Sequence, residues 1–140
     1  MSEESTAPDL VELVRRATEA GSRRDIEAFL ALCHPDFVMD NSGVGLGRFE
    51  SEDAFRAFAE DWYAAYDEYS VVSEVILELG HGVVFTITRQ TGRPRGSSAS
   101  VELRDAGVLL YEDGLLKRWT AYSDADMGRA VAERLAESRE

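Results

Sequence analysis

A chain of 140 residues with 44% apolar side chains is long enough for one domain with a real core and too short for two of ordinary size. Its formal charge of −12, from 15 basic and 27 acidic side chains, argues against nucleic acid or an anionic membrane as partner, because both need a basic footprint. The single cysteine, Cys33, excludes an internal disulfide, and no apolar run is long enough to span a bilayer as a helix.

The opening MSEESTAPD is acidic and polar and lacks the basic stretch and apolar run of a secretory leader. A cytoplasmic protein is therefore expected, with residues 1–8 as a loose tail and residues 9–138 as one domain. From Asp9 the pattern is helical, with Leu10, Leu13, Val14 and Ala17 on one stripe and Gly21 as the stop. A shorter helix follows, capped by Asp25, with Ile26, Phe29, Leu30 and Cys33 on its buried stripe and His34-Pro35 at its end. Phe37 to Asp40 reads as a short strand and Asn41 to Gly47 as a glycine-rich loop. Ser51 opens a third helix, with Glu52 and Asp53 at its positive end and Phe55, Phe58, Ala59 and Trp62 along its apolar stripe.

From Tyr69 the period changes to two, Gly80-His81-Gly82 makes a turn, and Val83 to Thr91 runs back as the next strand. Ser97 to Asp124 reads as one long hairpin turned by Asp113-Gly114, a dipeptide that tolerates the positive φ angles of a two-residue loop. Pairing Glu112 with Leu115 sets Val108 opposite Trp119 on one face, and Leu109 opposite Arg118 and Asp105 opposite Tyr122 on the other, unless a bulge, for which Gly107 is a plausible site, breaks the count. A last helix, capped by Asp124, carries Met127, Val131 and Leu135 on one side. Helices segregated from a meander of strands predict an α+β fold with helices on one face of a curved sheet. Val108, Leu110, Trp119 and Ala121 on the other face would form an exposed apolar patch, and a homodimer through that outer face is expected.

Taken together, LVRRATEAGSRRDIEAFLALCHPDFVMD, the helix at Ser51, GRPRGSSASVELRDAGVLLYEDGLLKRWTAYSD and the closing helix resemble the nuclear transport factor 2-like superfamily, and within it the SnoaL-like proteins. The resemblance covers roughly residues 9–136 and implies a cone-shaped α+β barrel, commonly dimeric, whose sheet wraps a pocket. It also implies relatives among ketosteroid isomerases, polyketide cyclases and limonene epoxide hydrolases, so fold does not settle function. The isomerases' general-base aspartate, in a Val-x-Asp context, matches Val38-Met39-Asp40, whereas their oxyanion tyrosine falls at Ala17 and their protonated aspartate at Gly107. Asp105, two residues earlier, is a substitute, with Tyr122 opposite it. The second aspartate of the epoxide hydrolases falls near Ala121, and a cyclase-type carboxylate could be Asp40, Asp105 or Asp124.

The resulting expectation is a cofactor-free domain that binds a small apolar molecule and performs acid-base chemistry on a carbonyl compound. Asp40 is its base, Asp105 or Tyr122 the hydrogen-bond partner, and Phe37, Phe55, Phe58, Trp62, Tyr66, Leu103 and Leu109 its binding wall. Each has a structural alternative: Asp40 as a strand-end cap, Trp119 and Tyr122 as packing aromatics, Cys33 as a small core residue. His34 and His81 are far apart with no clustered partner, so no metal is assigned. Gly43 to Arg48 lacks the spacing of a nucleotide loop. The rival reading is a non-catalytic binding or dimerisation module whose cone is filled by its own side chains. Cavity volume separates the two, since ligand sites of ordinary size begin at ~300 Å³.

Overall fold

The computed structural model describes residues 9–140, so the expected tail at residues 1–8 lies outside the described residues. In chain order the elements are α1 (Leu10–Ser22), α2 (Ile26–Leu30), β1 (Cys33–Asp40), β2 (Arg48–Phe49), α3 (Glu52–Ala64), β3 (Tyr66–Gly80), β4 (Val83–Pro94), β5 (Val101–Glu112), β6 (Leu115–Tyr122) and α4 (Ala125–Ser138). The strands form one six-stranded sheet in the order β2-β1-β6-β5-β4-β3. Neighbours are antiparallel except β1 and β6, and the fold is α+β.

Each helix begins where a short polar side chain covers the first free N–H groups. Asp9 accepts from the Glu12 N–H, Asp25 from Ala28, Ser51 from Ala54, and Asp124 from Asp126 and Met127. Such caps contribute about 1 kcal/mol each. The second helix is shorter than its periodicity predicts: it ends at Leu30, and Cys33 lies in β1 opposite Leu116 instead of on a helical stripe. Pro35 fits the strand because no β6 partner is paired between Cys33 and Val38, where its missing N–H would be felt. The Ser22 hydroxyl both accepts from the Val71 N–H (2.8 Å) and donates to the Val71 carbonyl (2.7 Å), fastening the end of α1 to β3.

The strand β3 starts at Tyr66, earlier than the alternation predicts, and its register against β4 shifts at Tyr66/Glu68, Ser73/Val75 and Glu78/Gly80. Shifts of this kind add twist and bend, which curls the sheet over α1 and α3. The hairpin of β5 and β6 turns at Asp113 (φ 55°) and Gly114 (φ 79°) as predicted. Its register then departs from expectation. Glu112 pairs with Leu115 and Tyr111 with Leu116, but Leu110 pairs with Arg118, leaving Lys117 as an extra residue. The bulge therefore sits in β6, not at Gly107, and Leu109 faces Trp119 while Ala106 faces Tyr122.

That one-residue shift decides which side chains share a face. Val84, Leu109, Tyr111 and Leu116 point to the inner core with Val14, Phe29, Phe37 and Phe55, and Trp119 packs against it. Val83, Phe85, Ala106 and Val108 point outward into a second core closed by Ala132 and Ala136 of α4. The expected exposed patch is thus corrected on both counts: Trp119 and Ala121 turn inward, and Val108 and Leu110 lie against the cluster under α4. The face of α4 that packs on the sheet is Gly128, Ala132 and Ala136 flanked by Val131 and Leu135, with Met127 56% exposed, because small residues let the helix approach the sheet closely. No helix in the described chain is long and apolar enough to cross a membrane.

Ala132, fully buried between α4 and the sheet, tests this second core. Ala132→Asp is expected to cost about 3 kcal/mol or more through an unpaired buried charge, and to expose Val108 and Phe85 to a hydrophobic dye. Chemical denaturation and dye fluorescence measure both effects.

Candidate functional site

A cavity of about 120 Å³, open on one side, lies between the inner face of the sheet and helices α1 and α3. Phe55, Phe58, Ala59, Trp62 and Tyr63 of α3 form one wall, and Ala17, Thr18 and Gly21 of α1 another. The sheet supplies Met39, Tyr69, Val71, Thr88, Gln90, Asp105 and Trp119, while Asn41 and Leu46 reach in from the loop after β1. Ring contacts make the α3 wall continuous: Phe49 stacks on Phe58 (4.4 Å), Phe58 on Trp62 (5.9 Å), and Tyr63 leans on Tyr69 (5.5 Å).

Asp105 is the carboxylate of this cavity. Its residue pairs with Thr88 across the β4–β5 ladder, and the Thr88 hydroxyl donates to its Oδ1 at 2.6 Å. Burial among apolar walls raises the carboxyl above its ordinary value of 3.8, against the opposing pull of the Thr88 hydrogen bond. Beside it the Tyr69 hydroxyl donates to Gln90 Oε1, which leaves the Gln90 amide N–H groups as donors. Burial also raises the phenols of Tyr63 and Tyr69, so both remain neutral O–H donors. One acid or base, several neutral donors and aromatic walls therefore converge, with no lysine, arginine or histidine in the lining.

The structure places Asp40 elsewhere. Met39 pairs with Trp119 and points inward, so the alternation of β1 turns its neighbour Asp40 away from the cavity. There Asp40 Oδ1 accepts from the Ser42 hydroxyl (2.6 Å) and N–H (3.1 Å), and Oδ2 lies 3.3 Å from Arg48 Nη1. These contacts, the Ser42 hydroxyl first, hold its carboxyl below the ordinary value, the opposite of what a base at neutral pH needs. Tyr122 is also off the site: the Lys117 bulge turns it to the outer core beneath α4.

Among the expected wall residues, Phe55, Phe58 and Trp62 line the cavity. Phe37 lies below it, edge-on to Phe29 (5.7 Å) and Phe55 (5.6 Å), and Leu109 is fully buried. Tyr66 packs its ring on Gly92 and Trp62 outside the lining, and Leu103 is 36% exposed beyond it. Thr88, Gln90 and Tyr69 are the polar residues that sequence reasoning missed; the alternation of β4 that puts Val84 inward was the available signal. Gly107 explains why the isomerase-type aspartate has no equivalent: a Cβ there would lie 2.6 Å from Trp119 Nε1, so the indole occupies that space. Cys33 is half-buried below the cavity, and burial pushes its thiol up to about 12. Among the described residues no group of three or more His, Cys, Asp or Glu comes together at metal-binding spacing.

A family model described as a SnoaL-like domain matches residues 14–119. No curated protein matches the chain. An NTF2-like protein of unknown function from Burkholderia pseudomallei superposes with a TM-score of 0.69 at 23% identity, over 85% of this chain and 94% of that one. A protein with a ketosteroid isomerase-like fold from Catenulispora acidiphila, in complex with trimethylamine, gives 0.71 at 14% identity, over 79% and 84%. A proposed polyketide cyclase from Xanthomonas campestris gives 0.64 at 22% identity, over 87% and 95%. At these identities the likeness is one of fold.

Two substitutions test the site's construction. Gly107→Ala is expected to displace the Trp119 ring, costing about 1–3 kcal/mol and shifting the tryptophan fluorescence. Asp105→Asn tests the raised carboxyl. Because the folded chain holds a proton that the unfolded chain releases, wild-type stability falls as pH rises from the ordinary value of 3.8 through the raised one. The variant does not titrate, so thermal unfolding should show its stability relative to wild type growing across that window and level above it.

Proposed function

Because the chain belongs to the SnoaL-like domain family, we propose that its cavity binds a compact, largely apolar carbonyl compound and that Asp105 acts on it as a cofactor-independent acid-base group. The observation that carries this reading is Asp105 itself, buried in an aromatic cavity, raised above its ordinary value and held in place by Thr88. A carboxylate desolvated in this way is a stronger base than one in water and can take a proton from carbon next to a carbonyl. The carbonyl oxygen, which gains charge as the proton leaves, would accept from the Gln90 amide or the Tyr63 hydroxyl. In this reading Asp40 positions the loop that carries Asn41 and Leu46.

Size narrows the ligand. The cavity's volume of about 120 Å³ falls below the ~300 Å³ of a ligand site of ordinary size, which favours the filled-cone module against any large ligand and leaves room only for one near the size of the ~150 Å³ void that accepts a benzene ring. A single ring or a short branched chain fits it, and a four-ring steroid does not. The lining's lack of a basic side chain disfavours carboxylates and phosphates. Trimethylamine, bound by the Catenulispora protein, falls within the admitted size.

The test is a thermal-shift panel of cyclic ketones, phenols and steroids. A ligand at ~100 times its dissociation constant adds about 2.7 kcal/mol and should raise the midpoint by several degrees. Single-ring carbonyl compounds are expected to do so and steroids are not. For a ligand that is also turned over, Asp105→Asn should lower the rate by ~10²–10⁴-fold while leaving the thermal shift in place, and Asp40→Asn should leave the rate within a few fold. A ligand that binds without turnover would favour the binding-module reading.

A further inference from the structure

Asp105 is the one charged side chain in the lining of the cavity, and nothing of opposite sign answers it there. The Thr88 hydroxyl donates to Oδ1 at 2.6 Å, and among the described residues no donor reaches Oδ2. We infer that, with Asp105 ionised, the cavity takes a small tertiary ammonium ion, its N–H on Oδ2 and its carbons against the aromatic walls. Such binding uses the cavity of the acid-base reading but needs no proton abstraction from carbon.

The nearest basic groups in sequence are engaged elsewhere. Alternation along β5 turns Arg104 to the face opposite Asp105, where it bonds Glu74 at 2.7 Å. Arg89, which follows Thr88 in β4, bonds the same carboxylate at 2.9 Å. The titratable groups that share the cavity with Asp105 are Tyr63 of α3 and Tyr69 of β3, and burial raises both phenols, so they stay neutral. From α1, α2, β1, β4, β6 and the loop after β1 no titratable or charged side chain enters the lining. An ionised carboxylate in this space lacks the pairing that a buried charge requires. A proton relieves it in one way, and burial raises the carboxyl above 3.8 accordingly. A cation relieves it in another.

The walls favour a cation over a neutral guest of the same shape. Phe58, Trp62, Tyr63, Tyr69 and Trp119 line the same space, and aromatic rings attract cations through the negative side of their quadrupole. Alkyl groups suit such walls because they add apolar surface around the charge, and a tertiary nitrogen keeps one N–H for Oδ2. Size agrees, since about 120 Å³ admits a five-membered ring with one substituent and little more. The chain's charge of −12 attracts any cation at long range, but salt screens that attraction and Asp105 does not control it.

Calorimetry of the full chain at neutral pH in ~0.15 M salt compares three ligands built on the same ring size: N-methylpyrrolidinium, cyclopentanol and cyclopentanone. N-methylpyrrolidinium is expected to bind at least ~10-fold more tightly than cyclopentanol. Asp105→Asn is expected to abolish that margin while leaving cyclopentanol within about twofold. Wild type alone supplies a second reading. The margin should shrink as pH falls through the raised titration of Asp105, because the protonated carboxyl attracts no cation. A margin that is absent in wild type, survives Asp105→Asn or stays level with pH overturns the inference. Binding of cyclopentanone without N-methylpyrrolidinium would also overturn it and leave the acid-base reading standing. Binding of the ammonium ion without cyclopentanone would uphold it and count against that reading.

Discussion

The site depends on one extra residue in β6. Leu116 faces the inner core on both the regular and the observed register, but Lys117 falls outside the ladder and every residue beyond it changes face. Without the bulge Trp119 would stand on the outer surface and Tyr122 beside Asp105. With it, Trp119 becomes a wall of the cavity and Tyr122 a strut beneath α4. A period of exactly two residues makes strands unforgiving in this way.

The same alternation sorts the carboxylates. Asp105 lies on the face of β5 that carries Leu109, so it is buried in the cavity with the Thr88 hydroxyl as its hydrogen-bond partner. Asp40 lies on the opposite face of β1 from Met39, where Ser42 and Arg48 compensate its charge. One environment raises the carboxyl and the other lowers it. The two aspartates thus differ in chemistry because of the faces they occupy. Packing sets the remaining limit: the rings of Phe29, Phe55, Phe58, Trp62 and Trp119 occupy much of the cone and leave room for a small molecule.

Elements whose signals are local were legible in the sequence. Asp25 and Asp124 cap the helices they were expected to cap, Asp9 and Ser51 stand where the first and third helices were expected to begin, and Asp113-Gly114 turns the hairpin. The helical stripe of Phe55, Phe58 and Trp62 was legible for the same reason, as 3.6-residue spacing fixes a face without reference to the rest of the fold. Cys33 was misplaced because its spacing from Phe29 also fits a helix, and only pairing with Leu116 makes it a strand residue. Trp119 and Tyr122 were misplaced because a bulge is a property of two strands together. Resemblance pointed to Asp40 through a three-residue context, but residue type at a strand end does not say which way the side chain turns. Thr88 and Gln90 share the inward parity of Val84, but that parity does not name their partners; they matter through pairing with Asp105 and Tyr69.

The central claim is that Asp105 is the responsive group of a ligand cavity. Carboxyl-carbon NMR of the aspartates, recorded as a pH titration with and without a saturating single-ring ketone, addresses it most directly. The account predicts that the Asp105 signal titrates above 3.8 and moves on adding the ketone, while the Asp40 signal titrates below 3.8 and stays where it is. An Asp105 signal that titrates at or below its ordinary value and ignores every ligand that binds would contradict it.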